Sequence, residues 1–170
     1  VKCQARNNFI RNLTLSLDGN TLILYQYVEK HGKNLYETIK EKSGKRKTFF
    51  VFGGTDTEIR ESVRSILEVE TDAIVVASYG TFSTGINIRN LHNIIFASPS
   101  KSRIRNLQSI GRGLRKSEQK EKATLFDIVD DFRVGKFANY TIKHFIERCK
   151  IYDEEKFPYK FYNIELKNGK

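Results

Sequence analysis

The chain has 170 residues, 39% hydrophobic and 12% aromatic, which is enough apolar material for one globular core and excludes a disordered chain. A net charge of +10 favours a polyanionic partner such as nucleic acid, although a merely solvated basic surface fits this composition equally well. The cysteines, Cys3 and Cys149, lie far apart in sequence, and no apolar run approaches the ~20 residues of a membrane span. We therefore predict no metal site, no disulfide framework, no membrane segment and an intracellular location.

Helical and strand-like segments alternate along the chain. The four-residue recurrence of Phe9, Leu13 and Leu17 predicts a helix that ends at a turn over residues 18–20. Runs rich in β-branched and aromatic residues predict buried strands at residues 21–28, 48–52, 73–77, 93–97 and 123–129. Helices are predicted between or after them at residues 32–42, from residue 57, at residues 102–116 and at residues 135–150.

The helix after the second strand has the clearest start signal. Thr55 and Glu58 have the spacing of a capping box. Four apolar residues then recur at the spacing of one helix face: Ile59, Val63, Ile66 and Leu67. We predict a helix that begins after Asp56 and packs this face on the sheet.

This order of elements predicts an α/β fold with a parallel sheet and helices on both faces. Ligands of such sheets bind beyond the carboxyl ends of the strands, so the loops that follow the strands are the candidate site. We interpret the basic stretch at residues 41–48 as a solvated connection. The aromatic segment 151–166 is expected to add an edge strand or to wrap the sheet, and packing is favoured over stacking on bases.

The stretch "QSIGRGLRK", residues 108–116, concentrates guanidinium groups on one predicted helix. At 100° per residue, Arg105, Gln108, Arg112 and Arg115 share one narrow stripe. Arg112 and Arg115 can reach one phosphoryl group, and the forked donors of guanidinium match phosphate oxygens. An exposed basic helix is the competing interpretation of this stretch alone.

A second candidate follows the third strand, in "ASYGTFSTGINI" at residues 77–88. Small hydroxyl residues and glycines at the carboxyl end of a strand offer backbone N–H groups and short hydroxyls to an anion. A tight turn rich in Ser and Thr has the same composition, so this segment is only moderately specific.

Four segments, taken in order, resemble motifs IV, V and VI of the second RecA-like motor domain of superfamily 2 helicases. They are "GGTDTEIRESV", "AIVVASYGTFSTGINI", "NIIFASPS" and "QSIGRGLR", and the resemblance covers roughly residues 21–131. The Gln-x-x-Gly-Arg-x-x-Arg pattern is the most specific part. The residues of "STGINI" and "NIIFASPSKS" are similar to those of phage helicases that process branched DNA in recombination, repair and replication. The resemblance implies that the protein works in the host cytoplasm.

The resemblance implies a role for each matching residue in ATP hydrolysis. Arg112 and Arg115 would be arginine fingers that reach the γ-phosphate of ATP, and Gln108 would help to set the same interface. Gly85 and Asn87 would lie near the ribose and the boundary between the two motor domains. Many relatives have Asp at the position of Asn87.

The resemblance also implies contacts with the DNA backbone. Ser78 and Thr81 match positions in motif V that touch the bound strand, and Tyr27 and Gly54 match weaker positions in the loops after the first two strands. Relatives often have His at the position of Phe52 and Thr at that of Tyr79. Arg60 matches an arginine with a structural role.

The chain lacks the parts that would make it a complete motor. It contains no G-x-x-x-x-G-K-[ST] loop to hold the phosphates of ATP, and without one we interpret Asp130 and Asp131 as solvated or capping residues. ATP and Mg²⁺ would be bound mainly by a missing N-terminal RecA-like domain, so this chain alone should be inactive. The absence of methionine fits a piece of a longer protein.

We therefore expect residues 1–20 to lead in from the upstream domain, residues 21–131 to form the motor domain, and residues 132–170 to pack on it. Two alternatives remain open: a basic nucleic-acid-binding module for which ATP is irrelevant, and a structural domain that keeps a motor fold without its chemistry.

Overall fold

The computed structural model describes residues 3–83, 90–98, 123–131 and 140–166. The helices are α1 (Gln4–Ser16), α2 (Lys33–Lys42), α3 (Thr57–Val69), α4 (Tyr79–Ser83) and α5 (Tyr140–Glu154), and a π-helix spans Val28–Gly32. The strands are β1 (Thr21–Tyr25), β2 (Thr48–Val51), β3 (Ile74–Ser78), β4 (Asn93–Phe96) and β5 (Thr124–Asp127). All five predicted strands are present, while the helix predicted at residues 102–116 lies outside the described residues.

The strands form one sheet in the order β2-β3-β1-β4-β5, and every pair of neighbours is parallel. The first strand is central: Thr21 is in register with Ile74 of β3 on one side and with Asn93 of β4 on the other. Because all strands point the same way, their carboxyl ends share one edge of the sheet. The predicted parallel α/β sheet is confirmed.

The two faces of the sheet carry separate apolar cores. Leu22 and Leu24 of β1 face a cluster that includes Val63 and Leu67 of α3 and Tyr152 of α5. The alternate β1 residues face a cluster with helices α1 and α2, whose members include Ile10, Ile23, Tyr25, Leu35 and Ile39. Side chains of a strand alternate between faces, so these clusters lie on opposite sides, and the prediction that helices cover both faces is confirmed.

Helix α3 begins where it was predicted but with a different cap. The side chain of Asp56 accepts a hydrogen bond from the Glu58 N–H at 3.2 Å, whereas the Thr55 hydroxyl accepts one from the Phe52 N–H at 2.9 Å. The predicted Thr55 and Glu58 capping box is therefore wrong, because Thr55 closes the preceding turn. Ile59 is 55% exposed, since the buried face of the helix is formed by Val63 and Leu67.

The segment after α5 does not add an edge strand, because residues 157–166 have no regular secondary structure. Phe157 packs against the core on the α3 face. The rings of Tyr159 and Tyr152 are 5.9 Å apart, and those of Phe161 and Phe145 are 5.7 Å apart, so the chain runs back along α5. Tyr162 remains 78% exposed.

The basic stretch at residues 41–48 is not simply solvated. Arg46 donates hydrogen bonds to the carbonyls of Thr14 and Gly19 and forms an ion pair with Asp72 at 2.9 Å. Its side chain is only 15% exposed, because the guanidinium fills the space between the end of α1 and the start of β3. Arg46 thus links three segments at the amino edge of the sheet.

Asn20 holds the same edge together from within. Its amide nitrogen lies within 3.1 Å of the carbonyl oxygens of Leu67, Glu70 and Asn90, and its amide oxygen accepts from the Ala73 N–H at 2.8 Å. The residue is fully buried. One side chain therefore fixes the end of α3 relative to the starts of β1, β3 and β4.

A search of the described helices for a membrane-spanning segment, which needs both length and an apolar sequence, finds none.

Candidate functional site at the carboxyl edge

The loops that follow β2, β3 and β1 lie side by side at the carboxyl edge, in the order of the strands. Neighbouring strands are about 4.8 Å apart, so these loops form one continuous surface. Of the candidate residues, Tyr27 follows β1, Gly54 follows β2, and Ser78 and Thr81 lie at the end of β3 and in the adjoining helix α4. The fold thus brings these four to one edge.

Tyr27 introduces a turn that the apolar sequence pattern did not predict. The strand predicted to reach residue 28 ends at Tyr25, and the Tyr27 carbonyl accepts from the N–H groups of His31 at 3.1 Å and Gly32 at 2.9 Å. The second of these bonds has the wide spacing of a π-helix, a rare element that is frequent at functional sites. The Tyr27 side chain is 49% exposed and is available to a partner.

The loop after β2 is tight and open to solvent. The Thr55 N–H donates to the Phe52 carbonyl at 2.9 Å, and the Thr55 hydroxyl accepts from the Phe52 N–H, which closes a turn around Gly53 and Gly54. Both glycines are exposed. A Cβ at position 54 would come within 2.9 Å of the Phe52 ring, so glycine lets the ring fold over the turn. The backbone of Gly54 therefore faces solvent beside an aromatic ring.

Ser78 and Thr81 are brought together but are withdrawn from solvent. Their hydroxyl oxygens are 2.7 Å apart, and the two residues are 7% and 1% exposed. This hydrogen bond closes the turn between β3 and α4. The expectation that both hydroxyls touch a DNA backbone stays a prediction.

A buried polar cluster lies beside these loops. His31 is fully buried; its Nε2 lies 3.1 Å from Asn7 Oδ1 and its Nδ1 lies 2.8 Å from the Ser98 hydroxyl. Because an amide oxygen only accepts, Nε2 carries the proton and Nδ1 accepts from Ser98. Burial, and next the positive charge of Arg6, lower the pKa of His31 from 6.5 to about 4. His31 is therefore neutral at physiological pH.

The carboxyl end of β5 carries two further ion pairs. Arg6 Nε donates to Asp130 at 2.7 Å, and the Arg6 side chain is only 5% exposed. Arg148 donates to both carboxylate oxygens of Asp127, at 2.7 and 3.0 Å, and the hydroxyl of Tyr152 donates to the same carboxylate at 2.8 Å. The interpretation of Asp130 as a solvated or capping residue is wrong, because its carboxylate neutralises a buried guanidinium.

The remaining site predictions, Gly85, Asn87, Gln108, Arg112 and Arg115, lie outside the described residues. Sequence reasoning missed His31, Arg6 and Asn7. A histidine within "VEKHGKNL" has no partner nearby in sequence, so its buried contacts with α1 and the end of β4 gave no signal. In the described part of the chain, no three His, Cys, Asp or Glu residues are grouped to hold a metal ion.

Comparison with known proteins adds independent findings. Residues 5–117 match the helicase conserved C-terminal domain. The chain is 38% identical over 174 residues to the ATP-dependent DNA helicase uvsW of Enterobacteria phage T4, a match that covers 95% of this chain and 34% of that protein. The crystal structure of T4 UvsW superimposes with a TM-score of 0.72 at 37% identity, covering 90% of this chain and 33% of that one.

A more distant structure has the same fold. The C-terminal part of the Fun30 ATPase domain superimposes with a TM-score of 0.58 at 12% identity, covering 88% of this chain and 54% of that one. At this identity the likeness concerns the fold alone. The chain spans about a third of the length of the phage helicase that it matches.

Proposed function

The chain belongs to the helicase conserved C-terminal domain family, as its motifs predict, and from this premise we propose that it is the second motor domain of an ATP-dependent DNA helicase of superfamily 2. One observation carries the proposal: the family match spans residues 5–117, which include the loops after β1, β2 and β3 and the arginines at positions 112 and 115. In this proposal residues 1–20 lead in from an upstream RecA-like domain, residues 21–131 form the motor fold, and residues 132–170 pack on it.

ATP hydrolysis in this proposal is shared between two domains. The upstream domain holds ATP and Mg²⁺, because this chain has no phosphate-binding loop. Arg112 and Arg115 reach the γ-phosphate and stabilise the charge that develops during phosphoryl transfer, and Gln108 orders the same surface. Gly85 and Asn87 lie toward the ribose. In this proposal the chain by itself neither holds ATP in a reactive position nor hydrolyses it.

The DNA strand in this proposal crosses the carboxyl edge of the sheet. The exposed ring of Tyr27 and the open backbone at Gly54 support this assignment, and the net charge of +10 supplies phosphate affinity that falls with salt. Ser78 and Thr81, which close the turn after β3, are the further candidate contacts with the DNA backbone. The relative's name supports DNA over RNA. We further propose branched or forked DNA, met in recombination, repair and replication-fork processing inside the host cell.

Translocation follows from closure and opening of the two domains. ATP favours the closed arrangement because it contacts both domains, and hydrolysis removes that preference. Each closure moves one DNA-binding surface relative to the other. Repeated cycles would advance the protein along the strand.

The proposal is tested by DNA-stimulated ATP hydrolysis of the full-length protein that contains this chain. Arg112→Ala and Arg115→Ala should each reduce turnover by about 10³- to 10⁵-fold, the usual cost of losing an arginine finger. DNA affinity should stay close to that of the wild type, because neither side chain contacts DNA in this proposal. Arg64→Ala is the matched control, because Arg64 pairs only with Glu61 and Glu68 on the exposed side of α3 among the described residues.

Intact turnover with weakened DNA binding in Arg112→Ala and Arg115→Ala would contradict the arginine-finger assignment. That result would favour the alternative of a nucleic-acid-binding module, in which the arginines contact DNA phosphates. Intact turnover together with intact DNA binding would favour a domain that keeps the motor fold without its chemistry.

A further inference from the structure

The buried cluster around His31 joins three segments that are far apart in sequence. His31 belongs to the π-helix after β1, Ser98 follows β4, and Asn7 lies on α1. The amide of Asn7 also donates to Asn34 at the start of α2, at 3.5 Å. Of the three hydrogen bonds in this cluster, the one between His31 and Ser98 is the shortest, at 2.8 Å.

Such an arrangement is costly unless every group is satisfied. An unpaired buried polar group costs about 1 to 3 kcal/mol, and apolar side chains would fill the same space without that risk. The π-helix adds a second cost, because its wide hydrogen-bonded turn is less favourable than an α-helical turn. Both features occur together at the edge where ligands of parallel sheets bind, and not elsewhere among the described residues.

The cluster links the Tyr27 turn to Ser98, the last described residue before the proposed arginine fingers in the sequence. On one side, the backbone N–H of His31 donates to the carbonyl of Tyr27, whose side chain is 49% exposed. On the other side, Ser98 is the residue from which the chain continues into residues 99–122, which contain Arg112 and Arg115. A shift of the Tyr27 turn therefore reaches Ser98 through one imidazole ring.

We propose that His31 is a positioning residue that couples DNA binding at the Tyr27 turn to ATP hydrolysis, through its hydrogen bond with Ser98. This inference rests on the proposed function. DNA held at Tyr27 fixes the π-helix, the π-helix fixes the imidazole, and the imidazole fixes Ser98, which precedes Arg112 and Arg115 in the sequence. Coupling of this kind is a free-energy difference transmitted by contiguous contacts.

Four variants of the full-length protein separate the His31 contacts. In His31→Gln the amide nitrogen can take the place of Nε2 and keep the Asn7 contact, but the acceptor for Ser98 is lost. In His31→Asn the amide oxygen can take the place of Nδ1 and accept from Ser98, but the Asn7 contact is lost. Ser98→Ala removes the hydroxyl itself, and Asn34→Ala removes a member of the cluster outside the proposed path.

Each variant is assayed for ATP turnover with and without DNA, for DNA affinity, and for its melting temperature. We expect His31→Gln and Ser98→Ala to lower DNA-stimulated turnover about tenfold, in the usual range for coupling between sites. Turnover without DNA and DNA affinity should stay within about twofold, because neither side chain contacts a ligand in this proposal. His31→Asn and Asn34→Ala should keep more than half of the stimulation.

Three results would overturn the inference. Wild-type stimulation in folded His31→Gln and Ser98→Ala would remove the path, and equal losses in His31→Gln and His31→Asn would show that the ring matters only for stability. Equal falls in ATP turnover with and without DNA would also show that the ring matters only for stability. Ser98 is only partly buried, so Ser98→Ala decides the question if a His31 variant fails to fold.

Failure of this inference is distinct from failure of the proposed function. If the wild-type full-length protein shows no DNA-stimulated ATPase activity, the proposed function fails and the coupling has nothing to act on. If the wild type is stimulated and the His31 and Ser98 variants match it, the proposed function stands and the positioning role is wrong.

Discussion

Gly32 packs against the ring of Tyr25, so closely that a side-chain carbon at position 32 would overlap ring atoms Cε2 and Cζ. The ring cannot retreat, because Tyr25 is fully buried and stacks on Phe50 with a centroid distance of 5.8 Å. We predict that Gly32→Ala lowers the free energy of unfolding by about 1 to 3 kcal/mol, the usual cost of overpacking a core. Urea denaturation would measure the difference.

Gly53→Ala is the matched control for this prediction. No atom lies within 4 Å of a Cβ built at Gly53, and the residue is exposed. The free energy of unfolding of Gly53→Ala should stay within about 0.5 kcal/mol of the wild-type value. Equal effects at the two positions would mean that the contact with Tyr25 carries no strain.

His31 predicts a pH dependence of stability. Its pKa is lowered from 6.5 to about 4 by burial and by the charge of Arg6, so below pH 6.5 the unfolded chain binds a proton that the folded chain does not. The contribution of neutral His31 to the free energy of unfolding is fully present above pH 6.5 and is lost as the pH falls toward 4. We expect a loss of about 1.4 kcal/mol per pH unit in that window.

Denaturation of wild type and His31→Gln between pH 4 and pH 7.5 would isolate the contribution of this one group. The slope of the free energy of unfolding against pH should be smaller in His31→Gln by the contribution of about one proton, because glutamine does not titrate. Identical slopes for the two proteins would mean that His31 is protonated in the folded state, contrary to the assigned hydrogen bonds.

The ion pair between Arg6 and Asp130 should contribute far more than the pairs on the surface. Asp130→Asn leaves the guanidinium of Arg6 buried without a counter-charge, since that side chain is only 5% exposed. We predict a loss of about 3 to 5 kcal/mol, the usual result of breaking a buried pair. Thermal or urea denaturation would measure it.

The comparison variant for this pair is Glu29→Gln. Glu29 forms an ion pair with Lys33 at 2.7 Å, but the side chains are 71% and 49% exposed. Water screens such a pair, so the loss should be below about 1 kcal/mol. Equal losses in Asp130→Asn and Glu29→Gln would argue that Arg6 finds another partner or water.

Asn20 should be the most sensitive polar residue at the amino edge. Asn20→Ala leaves the Ala73 N–H and the Asn90 carbonyl without this partner, at about 1 to 3 kcal/mol for each unsatisfied group. The carbonyls of Leu67 and Glu70 keep a donor, because the amide of Asn90 also reaches them. Asn90→Ala should therefore cost less than Asn20→Ala in the same denaturation experiment.

Tyr27 gives a prediction about nucleic acid. If its exposed ring stacks on a base, Tyr27→Ala should weaken binding of single-stranded DNA by about 1 to 3 kcal/mol. Tyr162→Ala is the matched control, since Tyr162 is 78% exposed on the segment that runs along α5. Fluorescence anisotropy with a labelled oligonucleotide would measure both. Equal weakening by the two variants would indicate a non-specific loss of surface affinity.

The strands were predictable because buried strands are marked by local composition, and their alternation with helices predicted the parallel sheet. The runs at residues 21–28 and 73–77 are β-branched and apolar, and both form fully buried strands. Where the local pattern competed with tertiary contacts, the prediction failed. The apolar pattern continues through Val28, but the carbonyl of Tyr27 accepts from the N–H groups of His31 and Gly32, and Gly32 packs against the ring of Tyr25.

The candidate site was predictable only where the family motifs name a position. Tyr27, Gly54, Ser78 and Thr81 lie at the carboxyl edge of the sheet, and their role in binding DNA stays a prediction. The orientation of their side chains was not predictable, since the burial of Ser78 and Thr81 depends on a hydrogen bond between them. His31 and Arg6 carried no signal, because their partners Ser98 and Asp130 lie far along the sequence.

The central place of β1 in the sheet also affects how the protein is made. A ribosome releases β1 before either neighbour exists, because its partners β3 and β4 are synthesised much later. Until then the apolar run "TLILY" has two unpaired edges. Domains with such distant pairings fold slowly and expose surface that aggregates. The nascent chain should therefore depend on chaperones that shield this run until β4 emerges.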